Sequence, residues 1–254
     1  MLTKRLVVCL DVDGDRVVKG THFVDLRDVG DPSRLAERYE QQNADEIVLL
    51  DISASQERRG TLLDLIQRTA RCITLPLTVG GGVRSVDDVR AVLRSGGDKV
   101  GINSAAAADP SLLSRAADEF GSQCVVAAID ARRENGGWRV YTHGGRRPTE
   151  RDAVEWAVEC VGRGAGEILL TSVDRDGTRS GYDVELVRAV VGRVNVPLIA
   201  SGGAGDAGHV VEVLRAGADA ALVAGIVHDG IETIGSLKRA MANSGLPVRR
   251  EIAA

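Results

Sequence analysis

Two halves of this 254-residue chain repeat one another, and the repeat constrains the fold more than any other feature. Glu46-Ile-Val-Leu-Leu-Asp51 returns as Glu167-Ile-Leu-Leu-Thr-Ser172, and Pro76-Leu-Thr-Val-Gly-Gly-Gly-Val-Arg84 returns as Pro197-Leu-Ile-Ala-Ser-Gly-Gly-Ala-Gly205, both at a separation of 121. Gly101-Ile-Asn-Ser104 matches Leu222-Val-Ala-Gly225 at the same spacing. Arg5-Leu-Val-Val-Cys-Leu-Asp11 returns as Cys124-Val-Val-Ala-Ala-Ile-Asp130, so each half opens with an apolar run ending in aspartate. Runs of this kind read as buried parallel strands. A doubled strand-then-helix plan predicts an α/β fold, a (β/α)8 TIM barrel built from two half-barrels. One domain then spans 1–254, with halves of about 1–122 and 123–254.

The apolar runs fall at about 5–11, 46–51, 75–79, 98–102, 124–130, 167–172, 197–201 and 220–224, and a helix is expected after each. Asp31-Pro32 and Asp109-Pro110 each offer a capping oxygen ahead of a proline at the first helical position. Ser85-Val-Asp-Asp88 reads as a capping box with a shortened acid, and Val86, Val89, Val92 and Leu93 recur at helical spacing behind it. Residues 12–30 and 131–151 are too long for simple connections. They follow Asp11 and Asp130 in corresponding places, and the second is predicted to form a hairpin around its Gly-Gly pair.

Aromatic residues make up only 3% of the chain, so Val, Ile, Leu and Ala must fill the interior. A net charge of -4 with dispersed cations gives no footprint for nucleic acid. The four cysteines, Cys9, Cys72, Cys124 and Cys160, lack CxxC spacing, and the four histidines follow no ligand pattern, so no metal site is expected. Cys9 and Cys124 are placed in buried strands as apolar fillers, which fits a reducing compartment. With no signal-type segment and no apolar run of spanning length, a cytoplasmic location away from membranes is expected.

Asp11 and Asp130 stand where a barrel presents catalytic groups, at the C-terminal ends of strands one and five of eight. Those strands face each other across the barrel, so the pair can act on two sides of one substrate as acid and base. A lone aspartate would more simply cap a loop; two, each ahead of a long loop, favour catalysis. The glycine runs ending strands three and seven, with Asn103-Ser104 and Ala224-Gly225 ending strands four and eight, leave backbone N–H groups open for phosphate. Taken singly, either run is as readily a tight turn. Together they imply a ligand with two phosphates.

By strand parity, Arg5, Val7, Cys9 and Asp11 point inward, as do Glu46, Lys99 and Glu167 at the starts of their strands. Two cations and two anions then form one layer at the barrel floor, and Val48, Leu50, Thr78, Gly101, Val126 and Leu169 line the space above it. On parity alone the layer reads as a structural plug.

Cys9-Leu-Asp-Val12, Val17-Val-Lys-Gly20, Val79-Gly-Gly-Gly82, Ala128-Ile-Asp130, Asp174-Arg-Asp-Gly-Thr178, Gly181-Tyr182 and Ala200-Ser-Gly-Gly-Ala204 in combination resemble the cyclase subunits of imidazole glycerol phosphate synthase, from histidine biosynthesis. The resemblance implies a barrel enzyme that needs no metal or organic cofactor. Its substrates would be ammonia and a bisphosphorylated ribulosyl-formimino-aminoimidazole carboxamide ribonucleotide. Its products would be imidazole glycerol phosphate and aminoimidazole carboxamide ribonucleotide. It further implies acid/base roles for Asp11 and Asp130. Substrate or phosphate contacts are implied at Lys19, Gly82, Asn103, Ser104, Asp176, Gly177, Gly202, Gly203, Ala224 and Gly225, with Asp51 and Thr171 as weaker candidates.

The resemblance also turns the floor layer of Arg5, Glu46, Lys99 and Glu167 from a plug into a gate for ammonia. The ammonia would come from a glutamine amidotransferase subunit in a heterodimer, with Asp98 at the same end to meet that partner. Two departures stand out: Val12-Asp-Gly-Asp-Arg16 replaces the family's usual Val-Lys-Asp-Gly-Arg, and Gly101 and Gly225 replace serines. The nearest rival is the sister phosphoribosyl-formimino isomerase, which shares the fold and two aspartates. A rival of another class is a non-catalytic phosphate-binding barrel.

Overall fold

A computed structural model describes residues 2–21, 24–52 and 59–249, with the backbone alone at 19–21, 24–27 and 59. The first half runs β1 (Arg5–Asp13), β2 (Arg16–Thr21), β3 (Val24–Gly30), α1 (Pro32–Gln41), β4 (Glu46–Asp51), α2 (Arg59–Cys72), β5 (Leu77–Gly80), α3 (Val86–Arg94), β6 (Lys99–Ile102), α4 (Ser104–Ala108) and α5 (Ser111–Phe120). The second runs β7 (Val125–Glu134), β8 (Gly137–Thr142), β9 (Arg147–Asp152), α6 (Ala153–Gly162), β10 (Glu167–Ser172), α7 (Val184–Val191), β11 (Leu198–Ser201), α8 (Ala207–Arg215), β12 (Ala220–Val223), α9 (Gly225–His228) and α10 (Ile234–Asn243).

Eight of these strands close into a parallel barrel in the order β1, β4, β5, β6, β7, β10, β11, β12 and back to β1. This is the (β/α)8 architecture, and β1 and β7 stand opposite each other in it. Its apolar residues form two shells. Outward-facing Leu6, Val8, Leu10, Ile47 and Leu49 pack beneath the helices, while Val7, Cys9, Val48, Val126, Leu169, Ile199 and Leu222 fill the barrel itself. Alternation along each strand produces this separation, since successive side chains point to opposite faces.

Local interactions repeat with the sequence. Asp31 and Asp152 cap α1 and α6, and Ser85 and Asp206 cap α3 and α8, each pair 121 residues apart. The Ser85 cap is a full capping box with Asp88, as the spacing predicts, and Val89 and Val92 of α3 are buried. Asp98 Oδ2 accepts from the Leu77 N–H at 2.8 Å, and Asp219 Oδ2 accepts from the Leu198 N–H at 3.1 Å, again 121 apart.

Several expectations change. Both long segments fold as antiparallel extensions of barrel strands, β1–β2–β3 and β7–β8–β9. The second hairpin turns at Asn135-Gly136, where both residues have positive φ (50° and 82°), not at the Gly-Gly pair. A type I′ turn needs φ > 0 at both central positions, and Asn tolerates that better than other side-chain-bearing residues. Two short helices, α4 and α9, add to the single helix expected after strands four and eight. Cys124 sits in a 3₁₀ turn ahead of β7 and is only half-buried, so it is not a strand filler. The helix after Pro110 begins at Ser111, although the Asp109 carboxylate still accepts from the Ser111 N–H at 3.1 Å.

Candidate active site

The C-terminal ends of the barrel strands open into one cavity of about 1150 Å³. Asp11, Asp51, Gly82, Asn103, Ser104, Asp130, Thr171, Asp176, Gly177, Gly202, Gly203, Ala224 and Gly225 all line it. Every mouth residue named from the sequence is thus brought together except Lys19. That residue lies on β2, and its side chain is outside the described residues.

The two aspartates sit in unequal surroundings. Asp11 is buried, and the Cys9 thiol donates to its Oδ1 at 3.3 Å. Asp130 is half-buried; its Oδ2 accepts from Asn103 Nδ2 at 2.9 Å, and the backbone N–H of Gly145 also donates to it. Desolvation pushes its carboxyl up to about 6, with the charge of Asp176 adding to the rise and the Asn103 and Gly145 hydrogen bonds opposing it. A carboxyl titrating there holds and releases a proton near neutrality, which suits general acid or base work.

Between the aspartates lie two cradles with matching backbones. Gly81 and Gly82 have φ of 94° and 68°, and their counterparts Gly202 and Gly203 have 90° and 103°. A Cβ on Gly81 would lie 2.2 Å from the Asp51 carbonyl oxygen, and one on Gly203 would lie 2.1 Å from that of Gly181, so both sites exclude side chains. Asn103 (φ -113°, ψ -91°) and Ala224 (φ -142°, ψ -84°) precede α4 and α9 with nearly the same dihedrals. Behind the second cradle, His228 Nε2 lies 3.0 Å from the Cys9 carbonyl oxygen, which only accepts, so Nε2 carries the proton. In the neutral ring Nδ1 then accepts from the Tyr39 hydroxyl, at 2.7 Å. Burial raises that phenol to about 12, which keeps it a donor.

At the other end of the barrel, Arg5, Glu46, Lys99 and Glu167 form a closed ring of alternating charge. Arg5 reaches Glu46 at 2.7 Å and Glu167 at 2.5 Å; Lys99 reaches them at 2.9 Å and 2.7 Å. Thr78 Oγ1 also donates to Glu46 at 2.7 Å. Burial alone would lower the Arg5 pKa, but the two carboxylates outweigh it and hold the guanidinium above its ordinary value. From Glu46 at the floor to Asp51 at the mouth is five residues of strand, about 16 Å.

A family model described as "Histidine biosynthesis protein" matches residues 5–233. Subunit HisF of imidazole glycerol phosphate synthase from Myxococcus xanthus is 64% identical over 98% of this chain and 99% of its own length. The chain belongs to the HisF family. Proteins of the same name from Gluconacetobacter diazotrophicus (56% identical over 98% of this chain and 97% of theirs) and Dehalococcoides mccartyi (54% over 99% and 100%) agree. HisF chains are the cyclase subunits of imidazole glycerol phosphate synthase, so this is a lyase-type enzyme of histidine biosynthesis and one subunit of a synthase. Among the described residues no helix is long and apolar enough to cross a membrane, and no cluster of His, Cys, Asp or Glu is arranged to hold a metal ion.

Sequence reading missed part of the HisF cavity wall. His143, Gly144, Gly145 and Arg146 line it, as do Arg84, Arg179 and Asp229. The Gly144-Gly145 pair, following the β-prone run Val140-Tyr-Thr142, was the available signal for a turn at the mouth. Nothing local marked the Arg179–Asp229 ion pair, which joins positions 50 residues apart.

Proposed function

We propose that the barrel, as a single domain, takes up ammonia at its floor and uses it at its mouth to cyclise a bisphosphorylated ribulosyl-formimino-aminoimidazole carboxamide ribonucleotide. It releases imidazole glycerol phosphate and aminoimidazole carboxamide ribonucleotide. The observation that carries this reading is the placement of Asp11 and Asp130 on opposite strands of one cavity, between two cradles of matching backbone. A bisphosphorylated substrate held at both ends lies with its middle between the carboxylates. Gly82, Asn103 and Ser104 hold one phosphate; Gly202, Gly203, Ala224 and Gly225 hold the other. Asp176 and Gly177 contact substrate, and Lys19 reaches it from the first hairpin.

Ring closure needs ammonia added, water lost, protons moved and a carbon–nitrogen bond cleaved. Asp130, titrating near 6, exchanges protons in both directions at neutral pH, and Asp11 supplies the second group on the other face. The floor ring of Arg5, Glu46, Lys99 and Glu167 admits ammonia from a glutamine amidotransferase subunit docked over Asp98, in a cytoplasmic heterodimer. The apolar lining above the ring supports the reading, because a dry path keeps ammonia from being protonated and losing its nucleophilic lone pair. The deciding assay supplies the purified chain with that substrate and an ammonium salt. Imidazole product is expected. Isomerisation of the ribosyl precursor without imidazole product would assign the chain to the isomerase chemistry instead.

A further inference from the structure

Among the described residues, four arginines line the mouth, and three of them have partners. Arg132 lies over the Tyr141 ring and 3.9 Å from Asp174, Arg179 pairs with Asp229, and Arg84 has interactions of its own beside the first cradle. Arg146 is exposed and makes no ion pair among the described residues. It ends the turn between β8 and β9, in which His143, Gly144 and Gly145 all have left-handed φ (55°, 65° and 74°). That turn is fixed at both sides of the cavity wall. The His143 N–H donates to Ser104 Oγ at 2.9 Å, and the Gly145 N–H donates to the Asp130 carboxylate.

We propose that Arg146 is a phosphate-binding residue of the first cradle, and that its turn is a positioning element tying the phosphate held at Ser104 to Asp130. The proposal deepens the reading of that cavity as a bisphosphate site and rests on it. A serine hydroxyl has one proton and two lone pairs, so Ser104 accepts from His143 while its own proton points to the phosphate. Arg146 then adds a cation to the neutral donors of Gly82, Asn103 and Ser104, and a guanidinium forms paired hydrogen bonds to phosphate oxygens. Recruiting Arg146 breaks no ion pair among the described residues, whereas Arg179 would first have to leave Asp229.

The duplication supplies a reason for the arrangement. β7 pairs with β6, so the hairpin of the second half stands beside the cradle that closes the first. β1 pairs with β12, so the hairpin of the first half stands in the same relation to the second cradle.

The test uses the full chain in two measurements. Inorganic phosphate is titrated into the ¹⁵N-labelled wild type, Arg146→Gln and Arg146→Lys, following the Ser104 and Gly145 amide signals. Both signals should move together in the wild type. Binding should weaken about tenfold in Arg146→Gln, about 1.4 kcal/mol, and largely return in Arg146→Lys. In the ammonium-driven reaction, Arg146→Gln should raise KM for the bisphosphorylated substrate about tenfold with kcat changed less than about threefold. Equal phosphate affinity in wild type and Arg146→Gln would overturn the phosphate role, and a Gly145 signal that ignores phosphate would overturn the link to Asp130. A wild type that binds phosphate in this way yet forms no imidazole product would overturn the cyclase chemistry and leave the assignment of Arg146 standing.

Discussion

The two half-barrels share a backbone and differ in charge. Glu46 and Glu167 are 121 residues apart and both enter the floor ring, yet both of its cations come from the first half: Arg5 corresponds to Cys124, and Lys99 to Ala220. The aspartates differ likewise. Asp11 lies beside a thiol, whereas Asp130 receives Asn103 and Gly145 and faces Asp176. Duplication places equivalent groups around an axis, and an acid must still behave differently from a base. The broken symmetry of the surroundings is therefore where distinct chemical roles can arise.

The largest expected effect tests whether both halves contribute chemistry. Asp11→Asn and Asp130→Asn should each lower ammonium-driven turnover by about 10²–10⁴-fold, the usual worth of a positioned acid or base. Circular dichroism should match the wild type. Unchanged turnover in one variant would make that half a scaffold. The floor provides the next contrast. Glu46→Gln leaves Arg5 and Lys99 undercompensated in a buried layer and should cost about 3–5 kcal/mol in urea denaturation. Glu167→Gln should cost less, because only Glu46 also receives the Thr78 hydroxyl. Equal losses would show that the ring responds to net charge alone.

Asp130 should also carry a stability cost. Its folded pKa is raised, so the folded state holds the proton more tightly than the unfolded one. That contribution is complete below pH 4 and is lost as pH rises through about 6. Asp130→Asn should therefore be more stable than the wild type by about 3 kcal/mol at pH 7, with the difference gone by about pH 3. Thermal denaturation at both values checks this, and a difference that does not change with pH would remove desolvation as the cause. The smallest effect concerns Asn103, whose hydrogen bond holds the Asp130 pKa down against burial. Asn103→Ala should move the acidic midpoint of the kcat–pH profile upward by a fraction of a unit. A downward move would mean that Asn103 serves the protonated form.

The eight barrel strands, their inward and outward faces and the pairing of the two aspartates were legible in the sequence, because period-2 alternation and a 121-residue repeat are local or additive signals. So were the capping roles of Asp31 and Ser85, which act within three or four residues. The turn at Asn135-Gly136 was misplaced by one residue because the neighbouring Gly-Gly pair is an equally good turn former, and only the register Glu134↔Gly137 settles it. The ring of Arg5, Glu46, Lys99 and Glu167 follows from parity, but parity alone left it a plug; the proposed role in admitting ammonia rests on resemblance.

By itself, then, the sequence determined the barrel, its twofold plan and which residues meet at each end, since these depend on periodicity and on the order of strands. Only the tertiary structure decided how the equivalent groups differ. The rise of Asp130 to about 6 depends on burial, on Asp176 46 positions away and on Asn103 27 positions before it. The turn that reaches both Ser104 and Asp130 exists only because β8 and β9 fold back over the mouth. Desolvation and contacts between distant segments are properties of a packed site, and no stretch of chain carries them alone.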